Sequence, residues 1–282
     1  MIPSGKAKLA GVIGWPVGHS SSPRLHGYWL EHYGIDGAYV PLGVEPANFE
    51  RVLQVLPLLG FVGVNVTVPH KEAALAAVDV ADPLAQRIGA VNTVIVRRDG
   101  GLEGRNSDAY GFLENIKTAV PGWDAASGPA VVLGAGGAAR AVCAALVDDG
   151  APEVRVVNRT SARAEALAAA IGSRCRVLPW SERCGALDGA GLLVNATTLG
   201  MTGQPPLDLD LDRLPMAAVV NDVVYAPLET ALLKMAARRG NRTVDGLGML
   251  LHQARPGFKA WFGVEPEVTS ALRAFLSQDP AG

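Results

Sequence analysis

From Leu9 to Val96 the chain alternates short apolar runs with stretches of helical periodicity. The runs fall at Val12-Ile13 and at residues 38–42, 63–68 and 91–96. Between them, residues 22–33, 47–59 and 69–78 space their apolar side chains as amphipathic helices do. Such alternation predicts a mostly parallel sheet with helices on both faces, and ligand sites outside the carboxyl ends of its strands. Asp99-Gly100-Gly101 predicts a hairpin-like turn, and a helix beginning near Ser107 or Asp108, either of which suits an N-cap, marks a domain boundary near Asp108. A second series follows the turn signals at 121–122 and 127–129. Its residues 130–133, 154–157, 176–178, 192–194 and 219–224 are apolar and β-branched, as buried strands require. Residues 246–260 form an amphipathic pattern that predicts a helix returning to the first domain. Arg255-Pro256 predicts that this helix kinks or ends, because proline removes a helical hydrogen bond. The expected architecture is α/β in two domains, residues 1–107 with 246–282 and residues 108–245.

Composition narrows the function. The 282 residues correspond to about two domains at the usual length. Lys and Arg number 25 against 27 Asp and Glu, so no basic excess is available to neutralise a nucleic-acid backbone. With 49% hydrophobic and 18% charged residues, the chain has the material for a sizeable core, which excludes disorder as its main state. The most apolar stretch, residues 130–147, is interrupted by Arg140 and several glycines, so no membrane span is predicted. The first residues lack a secretory hydrophobic region, and a cytoplasmic location is the expectation. Cys143, Cys175 and Cys184 stand in no paired spacing and read as reduced core thiols. The five histidines are scattered without metal-ligand spacing, and no metal is expected. The partner expected is a small molecule; monomer and homodimer both fit.

Val131-Val132-Leu133 runs directly into Gly134-Ala135-Gly136-Gly137-Ala138-Ala139, a G-x-G-x-x-A fingerprint between a strand and an alanine-rich helix. Gly134 permits the tight turn, Gly136 lets backbone approach a pyrophosphate, and small Ala139 allows close helix-strand packing. The helix start offers unpaired N–H groups to the phosphates. Dinucleotide sites that take NAD place an acid about 20 residues downstream for the ribose 2′-hydroxyl. Here that region reads Val157-Asn158-Arg159-Thr160-Ser161-Ala162-Arg163 and holds no acid. Asn158 can reach a ribose oxygen, while Arg159 and Arg163, four apart at a helix start, can flank a phosphate. The nucleotide expected is NADP, in a Rossmann-like domain.

The first domain carries the remaining chemistry. Gly14-Trp15-Pro16-Val17-Gly18-His19-Ser20-Ser21-Ser22-Pro23 places hydroxyls in a loop entering a helix, a setting that suits a carboxylate without an arginine. In Asn65-Val66-Thr67-Val68-Pro69-His70-Lys71, Asn65 and Thr67 share one strand face and a helix bearing Lys71 follows. Gly89-Ala90-Val91-Asn92-Thr93 and Gly104-Arg105-Asn106-Ser107-Asp108 add an amide and a carboxylate at element boundaries. Small polar groups of this kind suit a sugar-like ligand.

Together with residues 195–201, 222–230 and 246–253, in this order, these stretches resemble the shikimate dehydrogenase family over nearly the whole chain. The resemblance implies reversible reduction of 3-dehydroshikimate to shikimate with NADPH, in the pathway to chorismate and aromatic amino acids. It implies that Ser20, Ser22 and Tyr225 hold the substrate carboxylate, and that Asn65, Thr67, Lys71, Asn92, Asp108 and Gln253 surround the ring hydroxyls. Lys71 and Asp108 would be the catalytic pair. Gly134, Ala135, Gly136, Gly137, Ala138, Asn158, Arg159, Thr160, Arg163, Val223 and Gly246 would contact the nucleotide. The chain departs from the family pattern at Gly27, where Asn is common, and at His70, where an apolar residue is frequent. The alternatives are a bifunctional quinate/shikimate dehydrogenase, a methylenetetrahydrofolate dehydrogenase and a non-catalytic NADP-binding regulator. Arg159 and Arg163 argue against the NAD use common in the first. The serine loop argues against the second, and retention of Lys71 with Asp108 against the third.

Overall fold

Two six-stranded sheets organise the chain, and the computed structural model describes residues 2–278. The chain divides into two units: Met1–Ser107 with Gln253–Gly282, and Asp108–His252. In the first unit the elements run β1 (Lys8–Gly14), α1 (Ser22–His32), β2 (Gly37–Gly43), α2 (Phe49–Val55), β3 (Phe61–Val66), α3 (Lys71–Ala77), β4 (Val80–Ala81), α4 (Pro83–Ile88), β5 (Thr93–Val96) and β6 (Leu102–Arg105). Their sheet has the order β2-β1-β3-β5-β6-β4. β1 pairs parallel with β2 and β3, and β4 parallel with β6; β5 runs antiparallel to both of its neighbours. One strand is thus reversed in a sheet that is otherwise parallel. The Asp99-Gly100-Gly101 turn closes this reversal, with Arg97 N–H donating to Gly101 O at 2.8 Å. Ala10, Val12 and Ile13 of β1, with Val64 and Val66 of β3, are buried. Their near-continuous apolar run is what a strand covered on both faces requires.

The second unit contains α5 (Asp108–Ala119), β7 (Ala130–Leu133), α6 (Gly137–Asp148), β8 (Val154–Asn158), α7 (Ser161–Ile171), β9 (Cys175–Pro179), β10 (Leu192–Asn195), β11 (Val219–Asp222), α8 (Ala231–Arg239) and β12 (Arg242–Val244). All its strand pairings are parallel, in the order β12-β11-β10-β7-β8-β9. The chain builds outward from β7 through β8 to β9, then returns to build the other half from β10. The strand order therefore reverses between β7 and β10, where open α/β sheets bind their ligands. Cys143 is buried in α6, whereas Cys175 and Cys184 are partly exposed, and all three are free. Only the first of them is a core thiol; Cys175 sits on the edge strand β9, which has a neighbour on one side alone.

α9 (Leu247–Phe262) runs through Pro256, so of the two outcomes expected from Arg255-Pro256, a kink or an end, the helix does not end there. An internal proline costs roughly 3 kcal/mol. Burial of Leu251, Ala254, Phe258, Trp261 and Phe262 outweighs it, at roughly 1.5–3 kcal/mol for each large side chain. The two units divide inside this helix, between His252 and Gln253, and not at residues 245/246. Its first turn belongs with the second unit because Gly248 lies directly against the Asn115 side chain of α5. The last helix, α10 (Ser270–Ser277), is capped by Thr269, whose hydroxyl accepts from Leu272 N–H at 3.1 Å. Among the described residues no helix is long and apolar enough to cross a membrane.

Trp261 docks α9 on the first sheet by donating its indole N–H to Val94 O at 3.1 Å, directly over Gly63. A Cβ at Gly63 would fall inside van der Waals distance of both atoms, at a backbone φ of 154°. Gly63→Ala is therefore expected to lower stability by roughly 2–3 kcal/mol, the cost of overpacking a tight core. Urea unfolding followed by tryptophan fluorescence checks this, and an unchanged midpoint would refute the packing argument.

Candidate active site

β3 carries an amide into the buried stretch Gly63–Val66, and a buried amide is stable only where its groups find partners. The Asn65 carbonyl Oδ1 accepts from the Tyr39 hydroxyl of β2 at 2.6 Å. Its Nδ2 donates to Asn92 O at 3.2 Å and to Thr93 Oγ1 at 3.3 Å. Asn92, just before β5, is itself 2% exposed. Its Oδ1 accepts from Ser107 N–H at 2.9 Å, and its Nδ2 reaches Gln253 Oε1 at 3.3 Å. The backbone decides the orientation of all three amides. Ser107 N–H can only donate, so it faces the oxygen of Asn92; Asn92 O can only accept, so it faces the nitrogen of Asn65. Asn92 then offers its nitrogen to the Gln253 oxygen, which turns the Gln253 nitrogen away from Asn92.

Three of the predicted substrate residues, Asn65, Asn92 and Gln253, are therefore joined in one network within the first unit. Lys71 is bound to the same region through its backbone, since Val91 N–H donates to Lys71 O at 2.9 Å. Thr67 N–H donates to Ile13 O at 2.9 Å, which holds the segment between β3 and α3 against β1. His70 is buried immediately before Lys71, stacked on Phe49 with ring centroids 4.5 Å apart. Its Nε2 lies 2.7 Å from Val44 O, so that nitrogen carries the proton. A histidine here gives the flat apolar face that Phe49 needs, plus one donor. Ser20 and Ser22 stand at the start of α1, where Ser22 N–H donates to Ser20 Oγ at 3.3 Å and Pro23 opens the helix.

The second unit gathers the predicted nucleotide residues at the carboxyl ends of its strands. Gly134 follows β7 with φ of 114°, and a Cβ there would lie 2.9 Å from Ala196 O. Gly136 caps α6 and has open space where its side chain would be, and no side chain caps the helix start. Gly134 N–H donates to Val157 O at 2.9 Å, and the turn from Gly134 leads into the exposed Gly136 and the start of α6 at the β7/β10 switch point, where open α/β sheets bind their ligands. At the end of β8, Asn158 Nδ2 donates to Thr160 O at 2.9 Å and shapes the turn into α7. Arg159, Thr160 and Arg163 are exposed there. Among the described residues neither arginine pairs with a carboxylate; Glu153 is taken by Arg155 at 2.9 Å and Arg176 at 3.7 Å. Gly246 is pressed against the backbone of Val223 and Val224, so close that any side chain would clash. Asp108 is the first residue of α5, buried where a helix start favours a carboxylate.

Sequence reasoning passed over the groups that hold these residues in place. Asp222 is fully buried at the end of β11 and accepts from Thr230 Oγ1 at 2.7 Å, Asn195 Nδ2 at 3.0 Å and Val224 N–H at 3.1 Å. Burial raises its pKa above the ordinary carboxylate value, against the pull of these donors. It anchors the segment containing Val223 and Tyr225, and a charged residue inside the apolar run 219–224 was a readable signal. Tyr39, Thr93 and Ser107 were missed as well, being ordinary residues whose partners are distant in the chain.

Residues 12–94 match the family model described as the shikimate dehydrogenase substrate binding domain, and residues 117–200 the model described as shikimate / quinate 5-dehydrogenase. The chain is 64% identical over 273 residues to the shikimate dehydrogenase (NADP(+)) of Paramagnetospirillum magneticum, covering 97% of this chain and 99% of that protein. This chain belongs to the shikimate dehydrogenase family. A second member, the shikimate dehydrogenase (NADP(+)) of Rhodospirillum rubrum, is 61% identical over 98% of this chain and 99% of its own. Among solved structures, a shikimate 5-dehydrogenase of Thermus thermophilus in complex with NADP(H) and shikimate matches with TM-score 0.85 and 40% identity, over 96% of this chain and 98% of that one. A quinate dehydrogenase from Corynebacterium glutamicum in complex with NAD matches with TM-score 0.89 and 33% identity, over 96% and 99%. The two α/β domains expected from the sequence, one of them Rossmann-like, are the fold of this family.

His26 in this family member lies in α1 with its ring stacked on Tyr39, centroids 3.9 Å apart, among Trp29, Phe258 and Trp261. Complete burial pushes its pKa down from 6.5 to about 3. Between these values the unfolded chain binds a proton that the folded ring refuses. Stability is therefore full above about pH 6.5 and falls as pH drops toward 3, by roughly 3 kcal/mol at pH 4 from this group alone. His26→Phe keeps the stack and removes the titration. It is expected to narrow the gap between urea midpoints at pH 7 and pH 4, and an unchanged gap would count against the assignment.

Proposed function

We propose that this chain catalyses the reversible NADPH-dependent reduction of 3-dehydroshikimate to shikimate, the step that feeds chorismate and aromatic amino acid biosynthesis, in the cytoplasm. The observation that carries this is identity of 61–64%, over nearly the full chain, with relatives named shikimate dehydrogenase (NADP(+)). Residues 1–107 with the C-terminal helices serve as the substrate domain, and the second, all-parallel sheet as the NADP domain. The partner is a small molecule.

The residues divide by chemistry. Ser20, Ser22 and Tyr225 hold the substrate carboxylate through neutral hydroxyls, while Asn65, Thr67, Asn92 and Gln253 surround the ring hydroxyls. Gly134, Ala135, Gly136, Gly137 and Ala138 cradle the pyrophosphate on backbone N–H groups, and Asn158 and Thr160 serve the ribose. Arg159 and Arg163, exposed and unpaired with any described carboxylate, suit the 2′-phosphate. Val223 and Gly246, backbone against backbone, line the nicotinamide end. NADPH, when bound, supplies the hydride. Lys71 gives the carbonyl oxygen its proton as the hydroxyl forms, and takes it back in the reverse direction. Asp108 accepts from a substrate hydroxyl and orients Lys71. The two arginines favour this reading over a quinate-using, NAD-dependent enzyme.

Initial rates with shikimate and quinate, each with NADP and NAD, test the reading. Strong preference for shikimate with NADP is expected, and absence of turnover with both acids would overturn it. Lys71→Ala is expected to lower turnover by about 10²- to 10⁴-fold, the usual worth of a positioned proton donor, with shikimate still bound. Near-normal turnover would remove Lys71 from the chemistry. Replacing Arg159 and Arg163 together with Ala is expected to raise the KM for NADP by about 10- to 100-fold, in keeping with loss of charge-assisted hydrogen bonds. An equal rise for NAD would defeat the 2′-phosphate assignment.

A further inference from the structure

We infer that Tyr39 is a positioning residue for substrate recognition, acting through Asn65. The inference rests on the substrate role proposed for Asn65 above. Tyr39 lies on β2, which β1 separates from β3, and its hydroxyl donates to Asn65 Oδ1 at 2.6 Å in a buried setting. That bond completes a clamp on the amide. On the other side Asn65 Nδ2 is held by Asn92 O at 3.2 Å and Thr93 Oγ1 at 3.3 Å. Only one orientation of the amide satisfies all three partners, since the backbone oxygen cannot donate and the clamp would otherwise set acceptor against acceptor. A side chain with donor and acceptor ends recognises a ring hydroxyl only if the correct end is presented, so the clamp determines what Asn65 offers.

The phenol is built for this role and no other ionisable chemistry. Burial raises the Tyr39 pKa well above 10, against a smaller opposing pull from the Ser22 hydroxyl, so the phenol keeps its proton and donates throughout the working pH range. The same contact places Tyr39 between Ser22 and Asn65, two residues assigned to different ends of the substrate. Its ring is fixed by the neutral His26 imidazole, stacked parallel within 2° at 3.9 Å. A phenol with its ring packed and its hydroxyl aimed at one side chain is preorganised, and preorganisation reaches affinity by removing alternatives before the ligand arrives.

Tyr39→Phe keeps the ring and the stack and deletes only the hydroxyl. The test is a double-mutant cycle with Asn65→Ala, read on steady-state shikimate oxidation by NADP. Tyr39→Phe alone is expected to raise the shikimate KM by about 5- to 20-fold, the factor from one lost buried hydrogen bond, with kcat changed less and the NADP KM unchanged. In the Asn65→Ala background the same substitution is expected to change the shikimate KM less than about 2-fold, because the group it positions is gone. A merely structural tyrosine would raise both substrate constants, or act equally in both backgrounds, and either result overturns the inference. Thr93→Val, which removes the clamp's opposite side while sparing Tyr39, provides the second variant should Tyr39→Phe fold poorly. It too is expected to raise the shikimate KM selectively, and an unchanged value overturns the inference. Absence of shikimate turnover by the unmodified enzyme would instead overturn the functional reading, and this inference with it.

Discussion

A buried primary amide has two donors and a carbonyl that water no longer serves, and leaving one unmet costs roughly 1–3 kcal/mol. Asn92 meets that requirement through Ser107 N–H, and the polar end of the first sheet depends on it. The one reversed strand is what makes the bond possible. Because β5 pairs antiparallel with β6, Thr93 stands opposite Arg105, and residues 92 and 107 become neighbours although fifteen positions separate them. With Asn92 fixed, its backbone oxygen orients Asn65 and its side-chain nitrogen meets Gln253. A strand that departs from the parallel pattern is therefore the element on which the three amides of this network rely.

The second unit solves its problem with absence of side chains more than with polar pairing. Gly134 against Ala196 and Gly246 against Val223 allow backbone to approach backbone at the carboxyl ends of β7 and β11, the side on which open α/β sheets bind their ligands. Asp222 adds the rigidity that glycine removes. One carboxylate accepting from Thr230, Asn195 and Val224 ties three segments beyond the strands, and such a group is stable in the interior because its lone pairs are used. Arg159 and Arg163 lie outside this packed arrangement, exposed between the end of β8 and the first turn of α7.

What the sequence made legible was local. The alternation of apolar runs and helical periodicity, the Gly134 fingerprint and the Asp99-Gly100-Gly101 turn each depend on residues a few positions apart, and each appears as read. That turn implies antiparallel neighbours, but which of β5 and β6 runs against the rest of the sheet was not legible, because a four-residue strand has the same pattern in either direction. Pro256 does not stop α9, because its penalty is local while the compensating burial of Phe258 and Trp261 is not. Tyr39 lies 26 positions from Asn65, and Ser107 15 from Asn92, so no spacing rule connects them. Asp222 was the exception, a charge inside a buried strand that had to have partners.

These networks also separate recognition from titration. Asn65, Asn92 and Gln253 are neutral at every working pH, and the groups that orient them are a backbone amide, a backbone carbonyl, a hydroxyl and a phenol that keeps its proton. His26, the ionisable ring packed on that phenol, is held neutral by burial. The hydrogen-bond pattern of this network therefore does not change as protons come and go. Lys71 and Asp108 stand at the first positions of α3 and α5. An enzyme that must bind an alcohol and a ketone alternately gains from a buried polar network that does not rearrange with protonation, because the same fit then serves both.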